Sequence, residues 1–178
     1  MIHHVTPTIH LSPIVPADRD DIISHSQDRE LSRYTRVVPY PYPPALADEW
    51  IASVADDVAR NGRETSWAIR DETGRMIGTI ELDPGGRGRE HASEIGYWLA
   101  KPYWGRGIMS AVVDYVVRLG FREFALARIT AHVFVLNSAS ARVLEKNGFI
   151  IEAPLLRREY QRDGQTFDGR LYARLRDD

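Results

Sequence analysis

Residues 94–110 read EIGYWLAKPYWGRGIMS, and this stretch decides the fold. Its first part is rich in aromatic and apolar residues and stops at a proline, which predicts a strand over residues 92–100. Apolar residues then recur at helical spacing, which predicts a helix over about 108–124 with one buried face. Gly105 and Gly107 therefore precede a helix N-terminus, where free backbone N–H groups attract anions and a missing Cβ permits close approach. The stretch predicts a turn that holds phosphates.

Two commoner phosphate-binding loops fit this turn poorly. A dinucleotide-binding fingerprint needs a third glycine where this chain has Ser110, and it expects strand–helix–strand units near the N-terminus. A Walker loop needs Gly-Lys-Ser or Gly-Lys-Thr, and neither of the two lysines, Lys101 and Lys146, stands in that context. Taken alone, the glycines also fit an ordinary strand-to-helix connection, so the choice depends on the rest of the chain.

Three blocks of residues share the order and spacing of one family's motifs. They are Glu94–Leu99, Tyr103–Ile108, and Asn137–Ser140 with Glu145–Phe149. The blocks resemble the acetyl-CoA site of the GNAT superfamily of N-acetyltransferases, in the branch similar to the Rim-type acetyltransferases of ribosomal-protein N-termini. The resemblance extends from His10 to Tyr172, which is nearly the whole chain.

The resemblance implies an α/β fold with a mixed, mostly antiparallel central sheet of about seven strands flanked by helices. It also implies a single domain over residues 1–178. The expected activity is direct transfer of an acetyl group from acetyl-CoA to a primary amine, on a small molecule or at a protein N-terminus. A non-catalytic acyl-CoA-binding or interaction domain is the alternative.

Cofactor contacts are implied for the end of the strand, the turn, the start of the helix and the asparagine block. These residues are Trp98, Leu99, Trp104, Gly105, Arg106, Gly107, Ile108, Met109, Ser110, Asn137 and Ser140. Two of them depart from the superfamily pattern. Trp104 replaces the usual Gln or Arg, and Met109 replaces a Gly or Ala and is expected to crowd the phosphates. Asn137 also fits an ordinary helix N-cap.

Three side chains are candidates for proton transfer. Glu94 is the leading general base because of its place on one face of the strand, although it also fits a solvated strand-end glutamate. His132, five residues before Asn137, is the second candidate base and also fits a structural histidine. Leu144 stands where many superfamily members carry a tyrosine acid. Ser140 is then the candidate acid, with an ordinary first-turn serine as the alternative.

The acceptor pocket of the family is built by the first two helices, their loop and the final hairpin. This implies substrate contacts for Tyr34, Trp67 and the segment of residues 40–43, although each of these aromatic rings also fits packing. An acidic groove at this place would favour a cationic acceptor.

Composition excludes several other classes of protein. The 178 residues, 43% apolar and 27% charged, suit a compact enzyme, and a net charge of −2 argues against a nucleic-acid partner. The absence of cysteine excludes disulfides, thiolate zinc sites and a cysteine acyl-enzyme. No apolar run reaches the roughly 18 residues that span a membrane and no signal peptide is recognisable, so we expect a cytoplasmic protein without a membrane partner. We also expect no bound metal, since His3 and His4 fit a polar terminus. The oligomeric state is expected to be a monomer or a homodimer.

The remaining segments can be assigned coarsely. Strands are predicted over residues 8–15, 65–71, 75–82 and 127–135, helices from Pro16 and over about 45–60 and 138–147, and a closing hairpin of 149–160 and 166–175 around Asp163 and Gly164. The glycine-rich residues 84–89 are predicted to form a flexible turn, because they lead into a strand and not into a helix.

Overall fold

A computed structural model describes residues 1–86, 88–162 and 164–177. Within them the strands are β1 (His3–Thr6), β2 (Ile9–Ser12), β3 (Ser66–Arg70), β4 (Met76–Pro84), β5 (Ala92–Leu99), β6 (Arg128–Phe134), β7 (Ile150–Arg162) and β8 (Gln165–Leu175). The α-helices are α1 (Arg19–Ser26), α2 (Arg29–Tyr34), α3 (Pro44–Asn61), α4 (Ile108–Glu123) and α5 (Ser138–Lys146). Short 3₁₀ helices at Pro16–Asp18 and Lys101–Tyr103 come before α1 and before the turn that leads into α4.

The strands form one sheet in the order β1-β2-β3-β4-β5-β6-β8-β7. β5 and β6 run parallel, because α4 carries the chain back between them. The β1–β2, β2–β3, β3–β4, β6–β8 and β7–β8 pairs are antiparallel. The predicted mixed, mostly antiparallel sheet is therefore confirmed. The described residues contain eight strands where about seven were predicted.

The unpredicted strand is β1, which contains the two histidines that we interpreted as part of a polar terminus. Its four residues, HHVT, show no apolar alternation. It forms by pairing antiparallel with β2, with His3 opposite Leu11 and His4 opposite His10. The segment predicted as the first strand is consequently the second, and it is shorter than predicted. A strand of this length is stabilised by its neighbour and not by a pattern of its own.

A short helix was also missed. α2 has six residues, and Asp28 is its N-cap, with a carboxylate oxygen that accepts a hydrogen bond from the backbone N–H of Glu30 at 2.7 Å. An aspartate before a glutamate-containing turn is the signal that would have located it. The other predicted helices and strands are confirmed, with small differences at their ends. Of the predicted closing turn, Asp163 lies outside the described residues.

The chain folds into two compact units, Met1–Glu81 with Tyr97–Ile108, and Leu82–Gly96 with Met109–Asp178. The first unit has an apolar core composed of Ile22, Val38, Tyr42, Ala47, Ala68 and Met76. In the second, α4 buries four valines and approaches its neighbours closely at Gly120. A Cβ there would lie 3.1–3.2 Å from the side chains of Leu82, Leu126 and Ile129. The assignment of residues 1–178 to a single domain stays a prediction. Among the described helices, none is long and apolar enough to cross a membrane.

Candidate active site

The glycine turn lies where the sequence predicts it, after β5 and the Lys101–Tyr103 helix and directly before Ile108. Gly105 and Gly107 have φ angles of +74° and +76°, in the left-handed region that side chains disfavour. A Cβ at either glycine would meet nothing within 4 Å. The backbone angle, and not a packed neighbour, is therefore what requires glycine at these two positions.

The backbone N–H groups of this turn have no acceptor in the part of the chain that the structure describes. Among the hydrogen bonds of the described residues, none is donated by the backbone N–H of Gly105, Arg106 or Gly107. All three residues are exposed. α4 continues for 16 residues beyond the turn, so the partial positive charge of its N-terminus adds to these donors. The turn can accept an anion against its backbone.

Trp104 closes the turn onto the end of β5. Its indole Nε1 donates a hydrogen bond to the carbonyl oxygen of Leu99 at 2.6 Å. The indole ring also meets the ring of Tyr34, at the end of α2, edge to face with centroids 6.5 Å apart. The tryptophan that departs from the superfamily pattern therefore connects the predicted cofactor turn to a predicted acceptor residue.

The first turn of α4 is tied to the end of α5 by Asn147, which sequence reasoning did not single out. Asn147 is buried, and its Nδ2 lies 3.2 Å from the carbonyl oxygen of Ser110, 3.3 Å from Ser110 Oγ and 2.8 Å from the carbonyl oxygen of Val143. The sequence signal that could have identified Asn147 is its position within the third motif block, Glu145–Phe149. Met109 is 8% exposed and belongs to the buried side of α4, which favours packing over the expected contact with phosphates.

β8 braces the end of α5. The Tyr172 hydroxyl donates to Glu145 Oε1 at 3.1 Å, and Arg174 Nη1 donates to the carbonyl oxygen of Asn147 at 2.6 Å. Burial, followed by the hydrogen bond to Glu145, raises the pKa of Tyr172 above its ordinary value. These contacts give the third motif block a structural role in addition to any role at the cofactor.

Asn137 is the N-cap of α5, as the alternative interpretation held. Its Oδ1 accepts a hydrogen bond from the backbone N–H of Ser140 at 3.0 Å. Ser140 is half-buried in the first helical turn. Leu144 is fully buried, so this position holds an apolar core residue where other superfamily members have a tyrosine acid.

Glu94 and His132 come together on neighbouring strands. In the parallel pairing of β5 and β6, Glu94 lies opposite Thr130, and its Oε2 is 3.1 Å from His132 Nδ1. The side chains are 29% and 25% exposed, whereas Nδ1 itself is buried and meets no acceptor in the described part of the chain at a hydrogen-bonding angle. The two groups therefore interact through charge when the imidazole is protonated. Among the described residues, His, Cys, Asp and Glu form no group of three or more that could hold a metal ion.

The predicted acceptor aromatics have different environments. Trp67 is 2% exposed and its ring meets the edge of His3, so packing explains it better than contact with a substrate. Trp98, which was predicted to contact the cofactor and not the acceptor, is half-buried and packs against the core of the first unit. Tyr42 is buried in that same core, whereas Tyr40 is 51% exposed. Tyr34, half-buried at the end of α2 beside the turn, is the predicted acceptor residue best placed for such a role.

Known proteins resemble this chain in sequence and in structure. It is 38% identical over 112 residues to YoaA, an N-acetyltransferase of Bacillus subtilis without an assigned function, and this match covers 62% of each chain. It is 35% identical over 85 residues to the ribosomal-protein-serine acetyltransferase of Escherichia coli, covering 48% of this chain and 47% of that one. The matched part is thus less than two thirds of the length of either relative.

The fold is that of solved acetyltransferases. RimL, a ribosomal alpha-N-protein acetyltransferase solved in complex with coenzyme A, superposes with a TM-score of 0.84 over 98% of both chains at 20% identity. The family model of the acetyltransferase (GNAT) domain matches residues 8–150. That range contains the glycine turn, Glu94, His132 and the α5 cap. The chain belongs to the GNAT acetyltransferase family.

Proposed function

We propose that the protein is an acetyl-CoA-dependent N-acetyltransferase that transfers the acetyl group directly to a primary amine. One observation carries the proposal. In the exposed turn of Gly105 to Gly107 at the N-terminus of α4, the backbone donors bond to none of the described residues, and the turn stands at the position of the family's pyrophosphate motif. A pyrophosphate is the anion that such a turn suits best, since several N–H groups can bind adjacent phosphate oxygens.

The remaining predicted cofactor residues fit this use in different ways. Arg106 supplies an exposed positive charge, and Ile108 begins the helix that points at the phosphates. Trp98, Leu99 and Trp104 form the strand end and closing contact beside the turn, and Met109 and Ser110 shape the first turn of the helix. Asn137 and Ser140 are proposed to contact the cofactor through atoms other than Asn137 Oδ1 and the Ser140 backbone N–H, which form the helix cap. When bound, acetyl-CoA supplies a thioester whose carbonyl carbon reacts with the amine.

Proton removal from the amine is assigned to Glu94, with His132 beside it. At pH 7, deprotonation costs about 1 kcal/mol for an α-amine with a pKa near 7.8 and about 4 to 5 kcal/mol for a lysine amine. A partly exposed carboxylate is therefore an adequate base for an α-amine. His132, whose Nδ1 lies 3.1 Å from the carboxylate, is the second candidate base.

The departing thiolate needs little help. The tyrosine position of the superfamily is occupied by the buried Leu144, so that side chain donates no proton. A thiol with a pKa near 8.5 is already a fair leaving group, and Ser140 or water is sufficient as a proton source. We assign Ser140 as a weak acid and not as an essential one.

The acceptor is proposed to be the α-amine of a peptide or protein. The relative in Escherichia coli acts on a ribosomal-protein serine, and a modest base suits an α-amine better than a lysine. Tyr34 beside Trp104 offers an aromatic surface near the turn. A small-molecule amine remains the competing acceptor, and a domain that binds acyl-CoA without catalysis remains the competing class.

Labelled acetyl-CoA distinguishes these functions. The protein would be incubated with peptides that have a free N-terminus, with the same peptides blocked at the N-terminus but containing lysine, and with a panel of small amines. We expect label only in the free peptides, and labelling about a hundredfold slower when Glu94→Gln replaces the wild type. Label confined to small amines would contradict the acceptor, and CoA binding without turnover of any amine would contradict catalysis.

A further inference from the structure

Tyr103, the last residue of the Lys101–Tyr103 helix, is held from two sides. Its hydroxyl donates a hydrogen bond to Asp71 Oδ2 at 3.0 Å. The guanidinium carbon of Arg106 lies 5.4 Å from the centre of its ring, within range of a cation–π interaction. Tyr103 thus connects the turn between β3 and β4 to the middle residue of the glycine turn.

Asp71 is a rigid anchor for this contact. Its Oδ1 accepts hydrogen bonds from the Thr73 backbone N–H at 3.0 Å, from Thr73 Oγ1 at 2.7 Å and from the Arg75 backbone N–H at 3.2 Å, which close the β3–β4 turn. Burial alone would raise the pKa of Asp71, but the hydrogen bonds from Thr73 and Tyr103 outweigh it and leave that pKa below its ordinary value. The carboxylate is therefore ionised at neutral pH and is a strong acceptor for the Tyr103 hydroxyl.

Arg106 differs from the arginines that stabilise the fold. Arg70 pairs with Asp18 and Arg75 pairs with Asp21. Arg106 is exposed and forms no ion pair within the residues that the structure describes. Its charge is therefore not neutralised by a carboxylate, although its guanidinium is placed over an aromatic ring. An arginine held in this way loses less side-chain entropy when it binds an anion.

We propose that Tyr103 is a positioning residue for the binding of the cofactor's phosphates. Its ring holds the guanidinium of Arg106, while Asp71 holds its hydroxyl. The inference rests on the proposed function, because it takes the phosphates of CoA to be the ligand of the turn. Tyr103 itself need not touch the cofactor. Its effect passes through the guanidinium, so the two residues should act on affinity as one unit.

A double-mutant cycle tests this dependence. Calorimetry would measure the Kd of CoA for Tyr103→Leu, Arg106→Ala and the double variant, with acetyl-transfer kinetics in parallel. We expect each single variant to weaken CoA binding about tenfold with kcat near that of the wild type, and the double variant to be no weaker than about tenfold. Arg118→Ala, which removes an exposed arginine on α4 that pairs with Asp114, should leave the Kd unchanged.

A phosphate-free substrate separates positioning from a structural role. With S-acetylpantetheine as donor, Tyr103→Leu should have the kcat/KM of the wild type, since there are no phosphates for Arg106 to bind. Tyr103→Phe keeps the ring beneath Arg106 and loses only the hydrogen bond to Asp71, so we expect about a threefold weaker Kd for CoA. If Tyr103→Leu does not fold, Tyr103→Phe combined with Arg106→Ala completes the cycle, and it should be no weaker than Arg106→Ala alone.

Several outcomes would overturn the role of Tyr103. They are a roughly hundredfold loss in the double variant, an unchanged Kd in Tyr103→Leu, or an equal loss of kcat/KM with S-acetylpantetheine. Each of these leaves the proposed function intact, provided that the wild type binds CoA and acetylates an amine. A wild-type protein that binds no CoA would instead remove both proposals.

Discussion

The N-termini of α4 and α5 differ in where their backbone donors are used. At α5, Asn137 accepts the hydrogen bond from the Ser140 N–H, so the helix end is satisfied by its own chain. At α4, the exposed residues Gly105 to Gly107 donate no backbone hydrogen bond to the described part of the protein. A capped end adds stability, whereas an open glycine end can bind an anion. Two blocks of the same family pattern therefore have different physical roles.

The largest expected effect comes from filling the open end. Gly107→Val places a β-branched residue at a φ of +76°. Valine disfavours this backbone angle, and its side chain would reach the proposed phosphate side of the turn. We expect CoA binding to fall below detection by calorimetry. Gly62→Val is the matched control, because Gly62 has a φ of +70°, equally open space and a place at the end of α3. Equal loss of affinity in both variants would show that strain, and not the phosphate site, causes the effect.

Chemistry should depend more strongly on the β5–β6 pair than on either helix end. Glu94→Gln is expected to lower kcat about a hundredfold and to flatten the acidic limb of the pH–rate profile, with the Kd of CoA near that of the wild type. His132→Gln should lower kcat less than about tenfold. Steady-state kinetics across pH measure both, and the reverse ranking would assign the base to His132.

Ser140 tests whether the capped end also takes part in catalysis. Ser140→Ala should lower kcat by about tenfold, equivalent to about 1.4 kcal/mol, because the thiolate is a fair leaving group and the backbone N–H of the cap is kept. Single-turnover rates and CoA affinity provide the measurement. A loss beyond about a thousandfold with intact affinity would make the serine an essential acid.

Asn137 should matter more for stability than for chemistry. Asn137→Ala removes the side chain that caps α5, and we expect a loss of about 1 kcal/mol in the free energy of unfolding by denaturant. Asn137→Asp restores a capping oxygen and should recover most of it. If alanine leaves stability unchanged while CoA affinity falls, the residue serves the cofactor and the contrast between the two helix ends is weaker than proposed.

The smallest expected effect is the contribution of His25 to the pH dependence of stability, which limits the pH range in which the two helix ends can be compared. Burial, only partly offset by the charge of Asp21, lowers the pKa of His25. The unfolded chain therefore binds a proton more readily than the folded one. This contribution to stability is present above the unfolded pKa of about 6.5 and is lost as the pH falls towards the lower folded pKa. Denaturant unfolding at several pH values between 7.5 and 5 should show that the free energy of unfolding falls as the pH is lowered, and that His25→Asn reduces this dependence. An equal pH dependence in His25→Asn would contradict the assignment.

Local pattern was sufficient where the backbone itself carries the information. The strand before the turn, the glycines and the helix after it were predictable because apolar periodicity and the need for positive φ are written in neighbouring residues. β1 and α2 were not predicted, because four and six residues are too few to show a period. Trp67 illustrates the same limit for side chains. An aromatic residue looks alike in a sequence whether it lines a pocket or, at 2% exposure, fills a core.

By itself, the sequence determined the family, the order of its main elements and the glycine turn before α4, since these depend on residues close together in the chain. The tertiary structure alone decided the partners. Glu94 contacts His132, Tyr103 contacts Asp71, and Ser110 contacts Asn147. In each pair, more than thirty residues of the sequence separate the two partners. Such contacts depend on strand register and on how helices pack, which no local window of residues contains. Whether the backbone donors of the α4 turn have acceptors likewise depends on how the described residues pack around it.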